Sequence, residues 1–110
     1  MSKNWKDPIH PGEILADELE EIGINAVELS ERIGVPNNRI YQILNGKRDI
    51  TADTALRLGQ FFGTGPDFWM NLQKAYELDA AREKIGDSLK GIIPFKNKED
   101  RSGSHHLKPV

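Results

Sequence analysis

A chain of 110 residues, 37% hydrophobic and 29% charged, has material for one compact domain with a single core and little room for a second. It has no cysteine, which excludes disulfide staples, thiolate zinc sites and cysteine nucleophiles and points to a reducing compartment. The formal net charge of −2 looks wrong for a nucleic-acid binder, but residues 1–24 hold two lysines against six acids, whereas residues 25–63 hold Arg32, Arg39, Lys47, Arg48 and Arg57 against Glu28, Glu31, Asp49 and Asp53.

Along the chain, Pro8 and Pro11 bracket a lead-in, and Pro11 suits a first helical turn, where its missing N–H costs nothing. Ile14, Leu15, Leu19 and Ile22 recur at helical spacing beside the acidic Glu13, Asp17, Glu18, Glu20 and Glu21, which predicts an amphipathic first helix ending at Gly23. Asn25 is a favoured N-cap, Glu28 completes an approximate capping box, and Ala26, Leu29 and Ile33 form the apolar stripe of a second helix. Gly34 permits a tight turn, Val35 plugs the angle between two helices, and Pro36 suits the start of a third. Ile40, Ile43 and Leu44 make the buried side of that third helix, which Asn45 and Gly46 end.

Thr51 or Asp53 caps a fourth helix whose Ala55, Leu56, Leu58, Phe61 and Phe62 are expected in the core, up to a stop at Gly63. A fifth helix from about Pro66 to Lys84 presents Phe68, Trp69, Leu72, Tyr76 and Leu78 as a broad apolar and aromatic face. Residues 1–86 are thus expected to form the domain, and residues 87–110 a loosely ordered tail in which Ile92, Ile93 and Phe95 dock locally. With no strand pattern, internal repeat, P-loop, GxSxG or HExxH signature, the expected fold class is all-α with five helices. No apolar run approaches the roughly 20 residues of a membrane span and the acid-rich start is unlike a signal peptide, so the expected location is cytoplasmic with no membrane partner.

Two short helices joined by a glycine turn, from about Asn25 to Gly46, have the layout of a helix-turn-helix, in which the exposed side of the second helix enters a DNA major groove. Asn37, Asn38 and Gln42 are the candidate base readers, because their amides can pair bidentately with adenine. Arg39, which could read guanine or hold a phosphate, and Tyr41, which could touch a thymine methyl or the backbone, rank below them. Lys47 and Arg48 follow in a loop where they would sit beside phosphates, and Asn25 at a helix N-terminus could join them. A polar helix face alone is usually just solvated; the glycine turn, proline start and basic loop in this order are what favour DNA.

Residues from His10 to about Ala80 resemble the HigA family of antitoxins within the lambda-repressor-like helix-turn-helix superfamily. The resemblance rests on three blocks in order: His10-Pro11-Gly12-Glu13-Ile14-Leu15, Asn45 through Leu58, and Phe62 through Gln73. It implies a five-helix lambda-repressor-like domain and a homodimer with the fifth helix in its interface. It further implies an operator in the protein's own promoter and a HigB-type partner toxin that cleaves messenger RNA on the ribosome. Ala26 departs from the polar residue common at that position in the superfamily, and Gly65 stands where the family often has Ser.

Phe68, Trp69, Leu72 and Tyr76 read either as core against the fourth helix or as a seam between two copies; a symmetric DNA site favours the shared role. His105-His106 lacks the further ligands of a zinc site, so no metal or other cofactor is expected. His10 with Glu13 reads as a helix cap before it reads as an acid–base pair, so no enzyme is expected. A stand-alone regulator without a toxin, and an interaction module without DNA binding whose acidic first helix docks a basic partner, remain the alternatives.

Overall fold

The computed structural model describes residues 7–96. Its helices are α1 (Pro11–Ile22), α2 (Ala26–Ile33), α3 (Asn37–Leu44), α4 (Ala52–Phe62) and α5 (Pro66–Ile85), followed by a short 3-10 helix, Gly86–Gly91, and no strand occurs among the described residues. His105 and His106 lie outside them.

Local chemistry sets most of these boundaries. At α1, His10 Nδ1 accepts from the Gly12 N–H at 2.9 Å and the Glu13 carboxylate accepts from the His10 N–H at 3.4 Å, a complete capping box. At α2, Asn25 Oδ1 accepts from the Glu28 N–H at 2.9 Å, but the Glu28 carboxylate turns to Arg32 at 2.7 Å, so the reciprocal half of the expected box is replaced by an i,i+4 ion pair. Pro36 is the N-cap of α3 rather than its first helical residue. Gly34 ends α2 at φ 73°, a left-handed conformation that an L side chain would resist and that lets α3 begin three residues later.

All five helices feed one core. Leu15 of α1, Leu29 of α2, Ile40 and Ile43 of α3, Ala55 and Leu58 of α4 and Trp69 of α5 are all fully buried. Gly12 lets α1 approach the end of α3 so closely that a Cβ there would stand 1.9 Å from the Ile43 carbonyl oxygen. The loop between α3 and α4 is pinned from the far side: the Ile50 N–H donates to Gln73 Oε1 at 2.8 Å, and Gln73 Nε2 donates to Glu77 at 2.9 Å.

Several expectations are corrected. Trp69, expected in a seam between copies, belongs to the core of its own chain, its indole 5.6 Å from the Phe62 ring and 5.0 Å from the Phe68 ring. Leu56, expected in the core, is 59% exposed, because Ala55, Leu58 and Gly59 take the inward side of α4. The segment after Gly86 opens as a 3-10 helix, and Ile92, Ile93 and Phe95 are exposed rather than docked.

Candidate nucleic-acid interface

The unit of α2 and α3 is braced by polar groups from three helices. The Ser30 hydroxyl lies against the Ala26 and Val27 carbonyls at 3.0 and 2.9 Å and donates to Asn37 Oδ1. The Val35 N–H closes the turn onto the Ser30 carbonyl at 3.0 Å. From α4, Arg57 donates to the Ile33 carbonyl at 2.8 Å, satisfying one of the acceptors that a helix leaves open at its C-terminus. Asp53 then ties the third helix in, accepting from Arg39 at 2.8 Å and from Arg57 at 3.1 Å. Hydrogen bonds from Arg39 first and Arg57 second hold the Asp53 carboxyl below its ordinary value.

Bracing decides which predicted residues remain available. Arg39 was expected at the bases; its guanidinium instead turns onto α4, to Asp53 and to Thr54 at 3.5 Å, so its place is behind the reading face. Asn37 is exposed, yet its oxygen is engaged by Ser30. Asn25 spends its oxygen on the α2 cap. Asn38 and Tyr41 are exposed, Gln42 is half-buried, and their i, i+3, i+4 spacing puts all three on one side of α3.

The end of α3 brings the basic loop to that side. The Lys47 N–H donates to the Gln42 carbonyl at 2.8 Å and the Gly46 N–H to the Ile43 carbonyl at 3.0 Å, the paired bonds of a Schellman motif. This folds the chain back over the last turn of α3 and delivers Arg48 Nε to Gln42 Oε1 at 2.8 Å. Arg32, Arg39 and Arg57 each meet a carboxylate, whereas no ion pair within the described residues neutralises Lys47 or Arg48, and both are exposed. Two cations free of ion pairs, Lys47 and Arg48, thereby stand beside the polar face of α3, with the exposed Asp49 next in the chain.

On α5 the expected seam residues separate. Phe68 is exposed, Leu72 is partly buried against the core, and the Tyr76 ring packs edge-on to His10 at 4.8 Å. The bracing roles of Ser30, Asp53, Arg57 and Gln73 escaped the sequence reading. Only Asp53 and Arg57 carried a local signal, an acid four residues before a base on one helix.

Two short helices joined at a glycine turn, the second with a free polar face ending in unneutralised cations, define a helix-turn-helix DNA-binding domain. Comparison with known proteins agrees: the helix-turn-helix family model matches residues 15–69. Virulence-associated protein I of Dichelobacter nodosus is 45% identical over 84% of this chain and 86% of its own length. The solved structure of an addiction module antidote protein of the HigA family from Coxiella burnetii is 50% identical, with a TM-score of 0.79 over 81% of this chain and 99% of that one. The structure of the Pseudomonas aeruginosa antitoxin HigA with the higBA promoter is 42% identical, with a TM-score of 0.74 over 79% of this chain and 96% of that one. The chain belongs to the helix-turn-helix family and, within it, to the HigA antitoxins.

Proposed function

We propose that this protein binds an operator in its own promoter as a homodimer, with α3 in the major groove, and neutralises a HigB-type messenger-RNA-cleaving toxin. It acts in the cytoplasm, by binding and without a catalytic step. The observation that carries the DNA reading is the convergence of Asn38, Tyr41 and Gln42 with the unneutralised Lys47 and Arg48. Amide and guanidinium side chains can discriminate base edges, while free cations add affinity by displacing counterions from phosphates. Asn37 offers its amide nitrogen to the same groove, Asn25 sets an α2 N-terminus against the backbone, and Arg39 holds α3 in place through Asp53. The HigA relative whose structure was solved with the higBA promoter supports the same assignment, and the antidote family supports a toxin partner.

The dimer seam is assigned to the exposed side of α5. Phe68, Ala75, Leu78 and Ile85 follow one another at intervals of seven, three and seven residues, a spacing that keeps them on one stripe, with Leu72 and Tyr76 at its flank. Two copies joined there would present two copies of α3, as a two-fold symmetric operator requires.

The test is a gel-shift titration of the full chain against DNA from its own promoter and against unrelated DNA, over a range of salt, with light scattering on the same sample. Specific binding is expected, with affinity falling by a slope of about 0.9 per phosphate contact in log–log form, and with the preference for the promoter reduced in the Gln42→Ala, Arg48→Ala double variant. Equal affinity for both DNAs would overturn operator binding, and a monomer at micromolar concentration would overturn the seam. Co-expression with the product of the neighbouring small reading frame should yield a stable complex and restore growth; neither occurring would leave a regulator without a toxin.

A further inference from the structure

We propose that Gln42 and Arg48 act as one reading unit that selects guanine, and that Arg48 belongs to sequence recognition rather than to the phosphate backbone. The proposal rests on the operator-binding reading and deepens it. The Schellman motif at the end of α3 brings Arg48 Nε to Gln42 Oε1 at 2.8 Å. A guanidinium is donor-only, so the amide must turn its oxygen toward it. The Gln42 amide nitrogen then faces away from Arg48 with two N–H donors, and the two terminal nitrogens of Arg48 keep theirs, with no carboxylate among the described residues to engage them. The combined edge offers donors.

Adenine presents one acceptor and one donor in the major groove, N7 and N6–H, and a glutamine reads it by donating to one and accepting from the other. With its oxygen committed to Arg48, Gln42 is poorly set for that pairing. Guanine presents two acceptors, N7 and O6, which match a guanidinium fork buttressed by an amide. Asn37 is constrained in the same sense, because the Ser30 hydroxyl holds its oxygen. Asn38 has no such contact among the described residues, keeps both amide groups available and is exposed, which makes it the adenine reader of the helix and an internal control.

The experiment is selection of binding sites from a random-sequence DNA library by the full-chain protein, by its Gln42→Ala, Arg48→Ala, Gln42→Glu and Asn38→Ala variants, and by the Gln42→Ala, Arg48→Ala double variant. Gln42 is half-buried in the last turn of α3, Arg48 and Asn38 are exposed, and none of the three belongs to the core, so the variants should keep their fold, which thermal melting of each verifies. The wild-type protein should enrich a guanine in each half-site, by roughly five- to hundredfold over other bases. Arg48→Ala and Gln42→Ala should relax that same position, and the double variant should be no worse there than Arg48→Ala, as expected of residues that act as a unit. Gln42→Glu retains the acceptor for Arg48 and should keep the guanine at lower overall affinity, whereas Asn38→Ala should relax a different, adenine position. Replacing the selected guanine by 7-deazaguanine should remove most of the preference.

If Arg48→Ala lowers affinity evenly for all sequences while Gln42→Ala or Gln42→Glu abolishes an adenine, the pair is overturned and Arg48 is a backbone contact. Failure of the wild-type protein to enrich any sequence would overturn operator binding itself, and the pair with it.

Discussion

The two ends of α5 obey different rules. Its first two turns are part of the domain's core: Trp69 and Gln73 are buried, one packed on Phe62 and the other holding the Ile50 N–H. Its second half stands in water, laced by surface ion pairs such as Lys74–Glu77 and Arg82–Asp79, yet it carries the exposed Leu78 and Ile85. Exposed ion pairs contribute little, typically well under 1 kcal/mol each, so this half gains its reason to persist from whatever covers the apolar stripe. One helix thus serves two tasks in sequence, closing a fold and then offering a surface.

That contrast is open to direct attack. Trp69→Ala should destabilise the domain by about 3–5 kcal/mol through the cavity it opens. Leu78→Ala should change monomer stability by no more than about 0.5 kcal/mol while weakening the dimer, so urea denaturation and light scattering would move in opposite halves of the helix. Comparable losses of monomer stability in both variants would erase the distinction.

Gln73→Met should cost about 1–3 kcal/mol, because it keeps the volume but leaves the buried Ile50 N–H without its acceptor. It should also weaken DNA binding, since that bond pins the loop carrying Lys47 and Arg48; unchanged operator affinity would detach α5 from the reading face. His10→Ala removes the α1 capping box and the ring under Tyr76, for about 1 kcal/mol in the same denaturation assay.

The smallest effect concerns Asp53. Its carboxyl is held below the ordinary carboxylate value in the folded protein, so the stability it adds is present above about pH 4, its unfolded value, and is lost as pH falls through the depressed folded one. Asp53→Asn should remove that slice of acid sensitivity without changing stability curves above neutrality in slope. The site is exposed, so high salt should shrink the difference. A variant as acid-sensitive as the wild type would show that the Arg39–Asp53–Arg57 tie does not hold α3 to α4.

Helix positions followed from local chemistry, and the residues that carry it were visible in one dimension: Pro11 at a first turn, Asn25 and Thr51 as caps, Gly23, Gly34 and Gly63 as stops, and apolar residues at three- and four-residue spacing. The glycine turn, proline and basic loop gave the helix-turn-helix class for the same reason, since each acts within a few residues of itself. Tertiary structure alone decided how the polar groups are spent. Arg39 finds a carboxylate fourteen residues away, Gln73 an amide twenty-three residues away, and Ser30 an amide across a turn. A side chain's type states what it can bond, but which partner lies within 3 Å depends on how helices pack. That packing turned Arg39 away from the bases and drew Trp69 into the core, whereas the Gln42–Arg48 contact follows from the local fold-back of the chain after α3.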